Sequence, residues 1–370
     1  MEKKKIRVII SGGGTGGHIF PAISIANALR DIDPEMEILF VGAEGRMEME
    51  KVPAAGYKIV GLPIVGLQRK LTFKNLSFLF KLIKSLRLAS KIVRDFNPDI
   101  VVGVGGYASG PILKVAQRMK IPTLIQEQNS FAGITNKLLA KKANAICVAY
   151  DGMEKYFPKQ SIIHTGNPVR QGLSDIDTKI DEAREFFGIP SSNKVILVVG
   201  GSLGARTINN SILAGVEDIA SLPNTTLLWQ TGKVNYSYIL ENMTTKSLDN
   251  VKVFDFIHRM DLAYSVANLV VSRAGAGTIS ELCLVGKPTI LVPSPNVAED
   301  HQTKNAKALV NKSAALMITD AEAPKTLVET IINVIDKENM LGSLSANIKS
   351  LALPNAANDI AAKAMELIKR

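Results

Sequence analysis

One histidine stands where a reaction would want a general base. His18 closes the tract Ser11-Gly12-Gly13-Gly14-Thr15-Gly16-Gly17-His18, which follows the strand-like run Ile6 to Ile10. At a helix N-terminus the dipole keeps an imidazole neutral and able to accept a proton; the plain alternative is a capping or solvent-facing residue. Two more glycine turns follow strand-like runs: Gly200-Gly201-Ser202-Leu203-Gly204, and Ser272-Arg273-Ala274-Gly275-Ala276-Gly277-Thr278. A fourth is Gly103-Val104-Gly105-Gly106-Tyr107. Backbone N–H groups at such turns can face an anion, so several together imply a phosphate-rich ligand. Ser202 either caps the helix after it or, with its neighbouring amides, seats a phosphate. Glu281 is either a capping-box partner of Thr278 or a carboxylate that takes the two hydroxyls of a ribose. In Glu299-Asp300-His301-Gln302 the acids suit a helix start, while Gln302 offers a donor and an acceptor to a sugar hydroxyl. The polar run Gln126-Glu127-Gln128-Asn129 suits a sugar site or a surface loop.

The elements that must position these residues alternate. Strand-like runs at 6–10, 37–42, 99–104, 122–126 and 144–148 are separated by helical ones such as 21–30 and 111–119. The pattern restarts with strands at 194–199, 225–230, 251–254, 268–272, 288–292 and 314–317, and helices at 205–220, 277–285, 302–311 and 323–336. Alternation of this kind predicts parallel βαβ units and doubly wound sheets. Gly166-Asn167-Pro168 marks the expected boundary, giving domains 1–166 and 167–354, with a separate amphipathic helix over 355–370. Ligands of such sheets bind beyond the carboxyl ends of the strands, where all four glycine turns lie.

At 370 residues two domains are the expectation. Two cysteines without a CxxC and four scattered histidines predict neither a disulfide framework nor a metal site. The apolar run after Lys3-Lys4-Lys5 is too short for a signal-peptide core, and no stretch approaches the ~18 apolar residues of a membrane span. Residues 1–166 hold 24 Lys and Arg against 13 Asp and Glu, and residues 167–370 hold 20 against 21. All of the positive excess is therefore in the first half. It is densest from Arg69 to Arg94, with eight basic residues and no acid. An anionic partner is implied, either a nucleic acid or a lipid surface. As a helix, the basic side chains from Lys74 to Arg94 fall in one arc of roughly 160°. Leu79, Leu82, Ile83, Leu86 and Val93 lie opposite, while Phe80 and Ile92 intrude on the basic arc.

The motifs GGTGGH at 12–18 (with one extra glycine ahead), GYASG at 106–110, EQN at 127–129, GNPVR at 166–170, GGSLGA at 200–205, SRAGAGTISE at 272–281 and EDHQTKNA at 299–306 span nearly the whole chain. In that order they resemble the MurG family of peptidoglycan N-acetylglucosaminyltransferases. The resemblance implies a GT-B architecture, two Rossmann-like domains facing across a cleft. It implies an inverting transfer of GlcNAc from UDP-GlcNAc to the C4 hydroxyl of MurNAc in undecaprenyl-pyrophosphoryl-MurNAc-pentapeptide, forming a β-1,4 linkage, with no cofactor and no metal. The second domain would hold the nucleotide: Glu281 the ribose, Ser202 and the amides around Ala276 the phosphates, Ile257 the uracil through its backbone, Gln302 a GlcNAc hydroxyl, and Arg170 nearby. From the first domain Thr15, Gly16, Gly17 and Asn129 would reach the sugar, with His18 the candidate base and Tyr107 and Glu127 near the acceptor. The C-terminal helix would pack back on the first domain. The place of action would be the cytoplasmic face of the inner membrane, with peripheral attachment through residues 69–94 and no nucleic acid bound.

Three other readings compete. Gly12-x-Gly14-x-x-Gly17, with Glu44 as the distal acid, formally fits an NAD-dependent oxidoreductase, but leaves the 272–281 and 299–306 motifs without a job. A GT-B transferase acting on another glycolipid or a natural product would differ only in its acceptor. An RNA-binding protein would interleave aromatics for base stacking. Here Phe73, Phe78 and Phe80 instead alternate with leucine and isoleucine.

Overall fold

The structure is a computed structural model that describes residues 5–64, 74–170, 172–201, 203–243, 248–297 and 300–369, with side chains in the second stretch described from Phe80 onward. Two compact units divide it, Met1–Arg170 with Leu353–Arg370, and Gln171–Ala352.

Among the described residues each unit carries one parallel sheet. The first contains β1 (Arg7–Ser11), β2 (Glu37–Ala43), β3 (Lys58–Leu62), β4 (Ile100–Gly103), β5 (Thr123–Glu127), β6 (Ala145–Val148) and β7 (Ile162–His164), in the order β3-β2-β1-β4-β5-β6-β7. The second contains β8 (Lys194–Val199), β9 (Thr225–Gln230), β10 (Val251–Phe254), β11 (Leu269–Ser272), β12 (Thr289–Leu291) and β13 (Leu316–Met317), in the order β10-β9-β8-β11-β12-β13. Both are doubly wound sheets whose strand order reverses beside the first strand.

Helices cover both faces, so the strands read as unbroken apolar runs rather than alternating ones. Val8 and Ile10 pack with Ile25 and Leu29 of the helix Gly16–Ile32, while Ile9 enters the opposite core with Ile112 and Leu113. Likewise Val195 and Leu197 share one core and Ile196 and Val198 the other. The helix Ala356–Ile368 lays Ile360, Ala361, Ala364 and Leu367 into the core of the first unit, against the helix Gly16–Ile32. Gly166 to Val169 also belong to the first unit. Gly166 has φ +86°, and a Cβ there would lie 2.6 Å from the Leu353 side chain. Asn167 is buried against Gln126 and Gln128.

Several elements depart from the sequence reading, among them the helices Ile180–Phe187, Lys233–Asn242, Met260–Val266 and Glu338–Lys349, which it does not contain. β3 was not expected; it is an edge strand of five residues with a glycine in it and only one fully buried side chain. The expected helix 205–220 is broken into Arg206–Ala214 and Val216–Ala220 at Gly215, where a Cβ would meet Val328 at 2.8 Å.

Candidate active site

Topology brings the glycine turns together in pairs. β1 pairs with β4 so that Ser11 lies opposite Gly103, and β8 pairs with β11 so that Val199 lies opposite Ser272. The turns after β1 and β4 therefore share the switch point of one sheet, and those after β8 and β11 share that of the other. These crevices are where open α/β sheets bind ligands.

In the first unit the helix Gly16–Ile32 starts inside the glycine tract, with extended Thr15 at its N-cap. His18 is in its first turn, and its N–H donates to Thr15 O at 3.1 Å. Gly105 and Gly106 have φ of +93° and +85°; a Cβ on the first would stand 2.9 Å from the His18 ring, and one on the second 2.4 Å from Gly13 O. Only glycine lets these two loops touch. Gly106→Ala is therefore expected to cost at least ~2 kcal/mol through left-handed strain and a backbone clash. Thermal unfolding checks this, and an unchanged Tm would refute the contact.

His18 Nδ1 lies 3.0 Å from Gln128 Oε1. Glu127 is almost wholly buried and faces inward. Its Oε1 accepts from the Asn129 N–H at 3.1 Å, and its Oε2 accepts from the Gly133 N–H and Asn136 Nδ2, both at 2.9 Å. That carboxylate organises the loop 129–136. Asn129 is half-buried beside it, Thr15 and Gly17 are exposed, Gly16 is half-exposed, and Tyr107 projects with 54% of its surface open.

An anion already occupies the first glycine turn, and it is the chain's own. Glu48 is fully buried; its Oε2 accepts from the Gly14 N–H and its Oε1 from the Ala43 N–H, both at 2.9 Å. A Cβ on Gly13 would overlap this carboxylate, and one on Gly42 would crowd its stem at 2.6 Å. A second anion is repelled from this amide, so the dinucleotide fingerprint does not work as one here. Glu44, the acid that reading needs, is exposed. Sequence inspection missed Glu48 because nothing in its neighbourhood signals burial.

In the second unit Ser202 lies outside the described residues, but its turn is well anchored. Gly204 has φ +78° and approaches Thr231 O so closely that a Cβ has no room. Gln230, at the end of β9, donates from Nε2 to Gly201 O at 3.0 Å and accepts the Ile257 N–H on Oε1 at 2.8 Å. One buried amide thus ties the glycine turn to the Ile257 segment and commits the Ile257 N–H. Its only trace in the sequence is a polar residue closing the run Leu-Leu-Trp-Gln.

The helix Ala276–Val285 starts at Gly275 as N-cap, with no side-chain cap and no acid in its first turn. The capping-box reading of Glu281 therefore fails. Glu281 is in the second turn, nearly buried, and accepts from the Tyr264 hydroxyl at 3.2 Å. Ala276 opens this helix with its amide beyond β11. Arg273 Nη1 holds the loop after β12, donating to Val292 O at 3.0 Å and Pro293 O at 3.2 Å, and pairs with Asp320. Gln302, on the helix His301–Val310, accepts the Ser294 N–H at 2.8 Å, which turns its amide nitrogen toward other partners. Glu299 lies outside the described residues, and Arg170 is an exposed residue of the first unit.

Among the described residues no group of histidine, cysteine or carboxylate side chains forms a metal cluster. Cys147 and Cys283 are buried, which pushes each thiol up to about 12 and removes both as thiolate nucleophiles. In the basic helix Lys74–Phe96, Ala89, Ile92 and Val93 are buried in the core, whereas Lys81, Lys84, Arg87, Lys91 and Arg94 are exposed. Two placements differ from the helical-wheel expectation. Ile92 faces the core, and Ile83, at 41% exposed, shares the open surface with Phe80, at 68%. Arg69 and Lys70 lie outside the described residues, as does the side chain of Lys74. No described helix is long and apolar enough to cross a membrane.

Residues 8–148 match the glycosyltransferase family 28 N-terminal domain, and residues 195–360 the family 28 C-terminal domain. A relative from Phocaeicola vulgatus is 59% identical over 99% of this chain and 97% of its own length, and one from Cytophaga hutchinsonii is 53% identical over 99% and 98%. Both are named UDP-N-acetylglucosamine–N-acetylmuramyl-(pentapeptide) pyrophosphoryl-undecaprenol N-acetylglucosamine transferase. The crystal structure of MurG from Acinetobacter baumannii superposes with a TM-score of 0.78 at 28% identity, covering 98% of this chain and 99% of that one. A UDP-GlcNAc 2-epimerase from Neisseria meningitidis, at 15% identity and a TM-score of 0.68, shares the fold. The chain belongs to glycosyltransferase family 28 and, within it, to the MurG family of N-acetylglucosamine transferases.

Proposed function

We propose that this enzyme transfers GlcNAc from UDP-GlcNAc to the C4 hydroxyl of MurNAc in undecaprenyl-pyrophosphoryl-MurNAc-pentapeptide, a step of peptidoglycan precursor synthesis. The observation that carries this is identity of 53–59%, end to end, with relatives that bear the name of that transfer. The acceptor oxygen attacks the anomeric carbon of GlcNAc in one displacement. Its proton passes to His18, the bond from that carbon to the phosphate oxygen breaks, and UDP leaves with inversion to a β-1,4 linkage.

The second unit holds the nucleotide. The turns after β8 and β11, each at a helix N-terminus, set N–H groups and positive potential toward the charge gathering on the leaving diphosphate. Ser202 and the Ala276 amide belong to these seats. Glu281, steadied by Tyr264, takes the ribose hydroxyls. Because Gln230 already holds the Ile257 N–H, the Ile257 carbonyl is the backbone group that accepts from uracil. Gln302 donates to a GlcNAc hydroxyl, and Arg170 adds charge near the nucleotide. In the first unit Thr15, Gly16, Gly17 and Asn129 form the sugar-facing surface around His18, and Tyr107 contacts the acceptor. The inward commitment of Glu127 favours His18 over that carboxylate as base. Transfer of labelled GlcNAc from UDP-GlcNAc to a water-soluble acceptor analogue tests the reading, and no transfer would refute it.

The first unit attaches peripherally to the anionic cytoplasmic face of the inner membrane through residues 69–94. Exposed Phe80 and Ile83 among exposed basic residues support this, because an interfacial helix needs apolar contact as well as charge. Each basic residue near an anionic surface contributes ~1 kcal/mol. Replacing Lys74, Lys81 and Lys84 together by Glu should abolish binding to anionic vesicles and reduce activity on the native lipid acceptor, while activity on a short-chain soluble acceptor survives. Unchanged vesicle binding would refute the docking surface, and equal loss on both acceptors would mark a folding defect.

A further inference from the structure

We infer that Gln128 is a positioning residue that holds His18 as the Nδ1–H tautomer and so places the basic lone pair on Nε2. The proposal rests on the reading of His18 as the base. Two backbone carbonyls, which can only accept, set the orientation of the amides. Val104 O receives Gln128 Nε2 at 2.7 Å, and Gln128 O receives Asn167 Nδ2 at 3.0 Å. With its nitrogen on Gln128 O, Asn167 presents Oδ1 to Gln126 Nε2 at 2.9 Å. Gln126 therefore presents Oε1, and that oxygen accepts from Gln128 Nε2 as well.

Both ends of the network thus give the Gln128 amide the same orientation. Flipping it would set its oxygen against two other oxygens, Val104 O and Gln126 Oε1. The oxygen that faces His18 Nδ1 at 3.0 Å is consequently an obligate acceptor, and Nδ1 must carry the proton. In a neutral imidazole that leaves the lone pair on Nε2. Gln126, Gln128 and Asn167 are each 2% exposed or less, so bulk water does not compete for these bonds. Gly105 leaves room for the ring, since a Cβ there would stand 2.9 Å from it. A glutamine does here, without charge, what a carboxylate does in a Ser-His-Asp triad: it selects the tautomer and the orientation of the imidazole.

The direct test is nitrogen NMR of protein labelled with 15N-histidine, with the His18 signals assigned by their loss in His18→Gln. The expected result is an Nδ1–H, Nε2-lone-pair imidazole at neutral pH; an Nε2–H tautomer would overturn the proposal. In Gln128→Leu the tautomer preference should relax and kcat should fall about 10- to 100-fold, with the KM for UDP-GlcNAc unchanged. An unaltered tautomer with kcat within twofold of wild type would also overturn it. Because the wild-type spectrum needs no variant, misfolding of Gln128→Leu cannot shelter the idea. Failure of the underlying reading looks different: His18→Ala would keep its turnover whatever tautomer the spectrum reports.

Discussion

His18→Ala is expected to lower turnover about 10²- to 10⁴-fold while UDP binding stays nearly intact, the pattern of a lost general base. The substitution should not unfold the site. Alanine is the best helix former, and His18 lies in the first turn of a long helix whose core face is built by Ile19, Ala22, Ile25 and Leu29. A loss in kcat can therefore be assigned to chemistry, with thermal unfolding as the control. The imidazole is held between Gly105 and Gln128 in the first unit, while the nucleotide is assigned to the second, so binding and chemistry should separate cleanly. Steady-state kinetics with a soluble acceptor, alongside calorimetric titration with UDP, reads both quantities. Normal turnover would send the search for the base elsewhere. Glu127 would then have to leave its bonds to Gly133 and Asn136 to serve.

Glu281→Ala should raise the KM for UDP-GlcNAc about 10- to 150-fold, equivalent to ~1.5–3 kcal/mol for charge-assisted hydrogen bonds to the ribose. The structure sharpens this test. The helix starts at Gly275 without a side-chain cap, so removing Glu281 does not remove a cap. The hydrogen bond from Tyr264 is lost as well, and Tyr264→Phe removes that bond while keeping the carboxylate. Donor affinity that falls strongly in Glu281→Ala and little in Tyr264→Phe assigns the effect to the ribose contact. Affinity within twofold of wild type in Glu281→Ala would leave the carboxylate a purely internal partner of Tyr264.

The strand pattern was legible because both faces of each sheet are covered, so buried strands stand out as short apolar runs between turns. β3 escaped because it is a short edge strand that contains a glycine and buries only one side chain fully, so the apolar signal weakens there. The basic helix was legible as a charge run, but the placing of Ile83 and Ile92 was not. An ideal wheel does not know which face the sheet takes, and packing turned Ile92 inward.

The candidate residues divide in the same way. His18, Glu281 and Gln302 could be named from residue type and position beside a turn, because their chemistry is intrinsic to the side chain. Their partners could not. Glu48 looks like one more surface acid of a helical segment, yet it fills the first glycine turn from 34 residues away. Gln230 reaches Ile257 across 27 residues, and Gln126 reaches Asn167 across 41.

The glycine turns, the helices they start and the family motifs can be read from the chain alone because all of them are local: a left-handed backbone favours glycine, and a buried strand needs apolar side chains. Which turns meet, which amides each carboxylate occupies and which acceptor faces the imidazole emerge from the fold. Those outcomes depend on strand order and on donors and acceptors facing one another across tens of residues. No local pattern encodes that pairing, and in a buried site every polar group must find its partner.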